Sequence, residues 1–111
     1  MITIVQDGPV RGLKAVGPRI DAMAAIAFKS DLKDAAMGGP DRIVLDLSDV
    51  DFVDSSGLGA IVAAAKLIAP DRRLELAALR PNVAKVFELT RMDRIFTIHQ
   101  TYDPDAPADA A

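Results

Sequence analysis

With 111 residues, half of them apolar and about a quarter charged, the chain has the composition of one globular domain with a modest core. It has no cysteine and a single histidine, His99, which excludes disulfides and thiolate or multi-histidine metal sites, so no metal or cofactor is expected. The net charge of −3 resides in Asp103, Asp105 and Asp109 near the C-terminus, while 13 acidic residues balance 13 basic ones elsewhere; without a basic stripe, nucleic acid is not expected as a partner.

In chain order, Ile2 and Ile4 alternate with Thr3 as an opening strand, and Asp7-Gly8-Pro9 marks a turn. Residues 13–16 predict a short strand pairing back on the first. Gly17-Pro18 breaks the chain, and Asp21 is placed to cap a first helix. In that helix Ala25, Phe28, Leu32 and Ala35 form an apolar stripe, with Lys29, Asp31, Lys33 and Asp34 toward water. Gly38-Gly39-Pro40 ends it. Residues 42–47, a β-branched and leucine run, predict a buried strand.

Next comes Asp54-Ser55-Ser56-Gly57-Leu58-Gly59, at the junction of that strand region with a helix running to about residue 68. A serine here could cap the first N–H groups of the helix, and the same N–H groups and dipole favour a phosphate. Periodicity assigns Leu58, Ile61, Val62 and Ala65 to the inner face and Ala60, Ala63, Ala64 and Leu67 to the outer. A helix apolar all round is covered on all sides, and the outer face, beginning beside the serines, is expected to be a partner-binding surface. Pro70-Asp71 makes a turn and residues 74–77 a strand. Pro81 suits the first position of a third helix, with Val83, Val86, Phe87 and Thr90 inward. Residues 95–99 predict a last strand. A single domain is expected over residues 1–100, and residues 101–111 are expected to be a disordered acidic tail. No apolar run approaches the roughly 20 residues needed to span a bilayer, and Met1-Ile2-Thr3-Ile4-Val5 lacks the pattern of a leader peptide. A cytoplasmic protein with no membrane partner is expected. Strands alternating with helices predict an α/β fold with a mixed, mostly parallel sheet.

Enzyme chemistry finds little support. A serine hydrolase needs a base oriented on its serine, Asp-Ser-Ser-Gly is not a Gly-x-Ser-x-Gly elbow, and His99 belongs to the far end of the chain. Gly57-x-Gly59 has neither the lysine of a P-loop nor the third glycine of a dinucleotide fingerprint.

The run Asp46-Leu47-Ser48-Asp49-Val50-Asp51-Phe52-Val53-Asp54-Ser55-Ser56-Gly57-Leu58-Gly59 resembles the STAS-domain anti-sigma-factor antagonists of bacterial partner-switching circuits. Pro81-Asn82-Val83, Phe87-Glu88-Leu89-Thr90, Asp93-Arg94-Ile95-Phe96 and Ile20-Asp21-Ala22 also look like that family. The resemblance implies the STAS fold, with about four to five strands and three to four helices, and a non-enzymatic role. It implies that the unphosphorylated protein binds an anti-sigma factor that is also a serine kinase of histidine-kinase-like ATPase fold. Phosphorylation of Ser55 would end that binding, and a metal-dependent phosphatase would restore it. Asp21, Asp54, Ser56, Gly57 and Leu58 are implied in partner binding. An alternative is a non-switching STAS module, the small cytoplasmic subunit of a transport ATPase. The chain departs from the family in two places. Gly17-Pro18-Arg19-Ile20-Asp21 places a proline before the first-helix aspartate. Arg91 stands where glycine is frequent, and since a non-glycine left-handed cap costs roughly 1 kcal/mol, the third helix is expected to end differently.

Overall fold

The structure is a computed structural model that describes residues 1–103. Strand β1 (Ile2–Asp7) pairs antiparallel with β2 (Val10–Ala15) across the Asp7-Gly8-Pro9 turn, with a register shift between Ile4 and Gln6. The short β3 (Arg19–Ile20) follows, then α1 (Ala25–Ala36), β4 (Arg42–Asp46), β5 (Phe52–Val53), α2 (Ser55–Ile68), β6 (Arg73–Ala77), α3 (Pro81–Leu89), a 3₁₀ turn (Met92–Arg94) and β7 (Ile98–His99).

The main sheet runs β1-β2-β4-β6-β7, parallel from β2 onward. Successive parallel strands are added in one direction, so right-handed crossovers place α1, α2 and α3 on the same face. Strand alternation then divides the side chains. Leu13, Ile43, Leu45, Leu74 and Leu76 meet Phe28, Leu32, Ile61, Val83 and Phe87 in the main core. On the other face Val10, Val44 and Ala77 form a small cluster covered by Tyr102. Gly12 makes room for that ring, since a Cβ there would overlap the Tyr102 side chain. Tyr102 reaches Gln6 with its hydroxyl. Tyr102 thus lies against the sheet; residues 104–111 of the expected tail lie outside the described residues.

Glu75, on the helix-free face, has a side chain only 3% exposed. Its carboxylate takes Nε and Nη2 of Arg42 at 3.0 and 2.9 Å, an Arg73 guanidinium nitrogen at 3.3 Å and His99 Nε2 at 2.7 Å. Burial pushes its pKa up, but the hydrogen bonds of Arg42 and His99 and the charges of Arg42 and Arg73 outweigh this and hold it at about 2.

Three expectations need correction. The last strand shrinks from 95–99 to Ile98–His99, because the 3₁₀ turn carries Phe96 into the core, edge-on to Phe87 with ring centroids 6.2 Å apart. Arg91 adopts φ 61° and ψ 19°, so the left-handed position after α3 is kept without glycine. Thr90 is exposed rather than inward, and its hydroxyl donates to the Val86 carbonyl at 2.7 Å. Pro18 is accommodated at the head of β3, where its carbonyl accepts N–H groups from Asp51 and Phe52 at 2.8 and 3.1 Å.

Candidate functional site

Residues 19–24 and 51–60 converge at one end of the helical layer. The link is a two-stranded parallel ribbon, β3 with β5, pairing Arg19 with Phe52 and Ile20 with Val53. Ile20 and Val53 are buried beneath it, while Arg19 and Phe52 are exposed. Strands of two residues are too short to show a periodicity in the sequence.

Asp54 immediately follows the ribbon. Its backbone is extended (φ −95°, ψ −175°), and Oδ1 accepts the Gly57 N–H at 2.8 Å, so Asp54 rather than a serine is the N-cap of α2. Its other oxygen accepts the Ala22 N–H at 3.1 Å. One carboxylate therefore holds both the start of α2 and the turn that leads into α1. Asp21 does not cap α1 itself, which begins at Ala25. It closes the intervening turn, with Oδ1 accepting the Ala24 N–H at 3.3 Å and Oδ2 facing Arg19 Nε at 3.3 Å. The Arg19 hydrogen bond holds the Asp21 carboxyl below its usual range, with burial opposing it and the Ala24 N–H assisting. The Arg19 guanidinium lies 4.4 Å from the centroid of the Phe52 ring.

Ser55 is the first residue of α2 and is exposed, as is Ser56. Gly57 is buried: a Cβ there would fall 2.8 Å from the Ile20 carbonyl carbon and closer still to its oxygen. The resemblance implies Gly57 in the docking surface; in the structure it is buried where α2 crosses β3, two residues after Ser55. Leu58 is half-buried and packs on the core, which leaves it a small share of the surface.

The faces of α2 also differ from their periodic assignment. Gly57, Ala60, Ile61, Ala64 and Ile68 are buried, so Ala60 and Ala64 point inward, because α1 packs along that flank. What remains open beside the serines is a shallow groove of about 210 Å³, lined by Ala25, Ile26, Lys29, Ser56, Gly59, Ala60 and Ala63. Two large apolar side chains stand at this edge, Met23 at 95% and Ile26 at 81% exposure. The sequence offered a signal for them. Ile26 falls off the Ala25/Phe28/Leu32/Ala35 stripe, and Met23 precedes the helix, so neither had a core position to fill.

His99 is engaged with Glu75 on the helix-free face of the sheet, with the sheet between it and α2. Among the described residues no helix is long and apolar enough to cross a membrane.

Comparison with known proteins agrees with this geometry. BtrV of Bordetella bronchiseptica, provisionally named an anti-sigma factor antagonist, is 29% identical over 90 residues, covering 80% of this chain and 78% of that protein. The anti-sigma-F factor antagonist RsfB of Mycobacterium tuberculosis is 25% identical over 87 residues, covering 78% and 71%. The crystal structure of a Thermotoga maritima protein, also provisionally assigned as an anti-sigma factor antagonist, superimposes with a TM-score of 0.76 at 31% identity over 91% of this chain and 86% of that one. The STAS domain pattern matches residues 1–104, and with the helix-backed sheet and the serine at the head of α2 in place, the chain belongs to the STAS domain family.

Proposed function

We propose that this protein is an anti-sigma-factor antagonist whose unphosphorylated form docks on an anti-sigma factor that is also a serine kinase of histidine-kinase-like ATPase fold. The docking surface combines Asp21, Met23, Ile26, Ser55, Ser56 and Gly59, set in place by Asp54 and Gly57. Phosphoryl transfer from ATP to the Ser55 hydroxyl ends the complex, and a metal-dependent phosphatase reverses it.

The observation that carries this reading is the exposed Ser55 hydroxyl at the head of α2, beside the apolar Met23/Ile26 edge. A modifying enzyme can reach the serine without unfolding the domain, and a partner seated on the edge covers it. A phosphate adds about −1.5 to −2 charges. One like-charge contact at about 5 Å, with an effective dielectric near 20, costs roughly 3 kcal/mol, which is on the order of a hundredfold in affinity. The phosphate's bulk adds to this, so dissociation needs no refolding.

The alternative of a transport-ATPase subunit uses the same fold but gives no role to an exposed serine at the head of α2. In the test, the kinase captured by the unmodified chain is incubated with it and ATP. Wild type should gain one phosphate on Ser55, and Ser55→Ala none. Modification confined to Ser56, or capture of a membrane transporter in place of a kinase, overturns the proposal.

A further inference from the structure

The outer face of the β3–β5 ribbon carries Arg19 and Asp21 on one strand line and Phe52 and Asp54 on the other. The parallel backbone pairing sets Arg19 opposite Phe52 and Ile20 opposite Val53. Continuing one step brings Asp21 beside Asp54, and Ser55 is one Cα spacing of about 3.8 Å further. Asp54 is committed, because both its oxygens accept backbone N–H groups. Asp21 uses one oxygen on Ala24 and the other on Arg19. Arg19 is differently placed. It is exposed, it meets Asp21 only through Nε, and its planar head rests on Phe52.

We propose that Arg19 is the residue that receives the phosphate on Ser55, exchanging its single hydrogen bond to Asp21 for a contact with the phosphoryl oxygens. The inference rests on Ser55 being the phosphoacceptor. Guanidinium offers several donors in a planar fork that matches phosphate better than the one bond it makes to Asp21. Phe52 limits where the guanidinium can swing, because stacking favours motion across the ring face. Without such a cation, only the N-terminus of α2 would offset the repulsion of the phosphate by Asp21 and Asp54. With it, Asp21 gives up its Arg19 contact and keeps the Ala24 N–H as the mark is added, so phosphorylation changes two parts of the docking surface at once. Lys29 is the competing cation, lining the groove on the Ser56 side.

The test uses the full chain with phosphoserine inserted at position 55 during translation, so that no kinase is needed. Phosphorus NMR then follows the second ionisation of the phosphate, which falls near pH 6 in an unperturbed phosphoserine. Asp21 and Asp54 raise it, while Arg19 and Lys29 lower it. Arg19→Gln should raise it by about half a unit or more, and Arg19→Lys by less. Lys29→Gln should leave it nearly unmoved, and the Arg19 Nε–H resonance should shift between unmodified and phosphorylated protein. The same titration in wild type and Arg19→Gln overturns the proposal, as does a shift produced by Lys29→Gln in place of Arg19→Gln. Either result is separable from the fate of the kinase reading. A kinase that ignores Ser55 leaves this titration standing, and a flat titration leaves phosphorylation of Ser55 untouched.

Discussion

The double role of Asp54 is the arrangement most open to quantitative attack. Its carboxylate caps α2 through Gly57 and anchors the 22–24 turn through Ala22. Asp54→Ala removes the cap, worth about 1 kcal/mol, and the favourable placement of a negative charge at a helix N-terminus, worth about 0.5 kcal/mol. The Ala22 N–H is near the surface, so water replaces its lost partner at a cost of about 0.5 kcal/mol. The combined loss is about 2 kcal/mol, which for a domain of this size lowers Tm by roughly 8–16 °C. Asp54→Asn keeps one carbonyl oxygen, which can serve one of the two N–H groups; it should lose about half as much. Urea and thermal unfolding of the three proteins measure the order, and native-state hydrogen exchange at Ala22 should quicken in Asp54→Ala. If Asn and Ala are equally destabilising, or if Ala costs less than about 0.5 kcal/mol, the two-point attachment is wrong.

Gly57 and Gly59 make a paired experiment, because the same substitution meets opposite surroundings two residues apart. Gly57→Ala drives a Cβ into the Ile20 backbone and should cost about 3 kcal/mol or more in a urea titration. Gly59→Ala meets nothing within 4 Å and should gain about 0.5–1 kcal/mol from helix propensity; equal effects would contradict the packing described at β3. Acid stability should report Glu75. Its folded pKa of about 2 lies below the unfolded value near 4.5, so the unfolded chain binds more protons between them and stability falls as pH drops through that window. In Glu75→Gln the urea midpoint should be lower near neutral pH and vary less between pH 4.5 and 2; an unchanged slope would remove Glu75 as the source.

How far the sequence disclosed this arrangement depends on the range of the interaction involved. The strand predicted over 42–47 and found at Arg42–Asp46, the stripe through Phe28 and Leu32, Pro81 at the head of α3 and the strand–helix junction at Ser55 are local patterns, and each is legible in the sequence. Arg19 with Phe52, Asp54 with Ala22 and Gly57 with Ile20 join residues more than 30 apart, and neither spacing nor propensity encodes such pairs. The misassigned face of α2 has the same origin: an alanine-rich helix has a flat hydrophobic profile, and the packing of α1 decided which alanines went inward. Arg91 in a left-handed conformation shows that tertiary packing, here the seating of Phe96 beside Phe87, can outweigh a local cost of roughly 1 kcal/mol.

One comparison bears most directly on the switch: calorimetric titration of the captured kinase with unmodified protein and with protein phosphorylated at Ser55, alongside amide NMR spectra of both forms. Affinity should fall by about a hundredfold or more, while shifts stay confined to residues around 19–26 and 52–60. Affinities within about a factor of two, or spectral changes spread across the sheet, would contradict a mark that acts by charge and bulk at the contact.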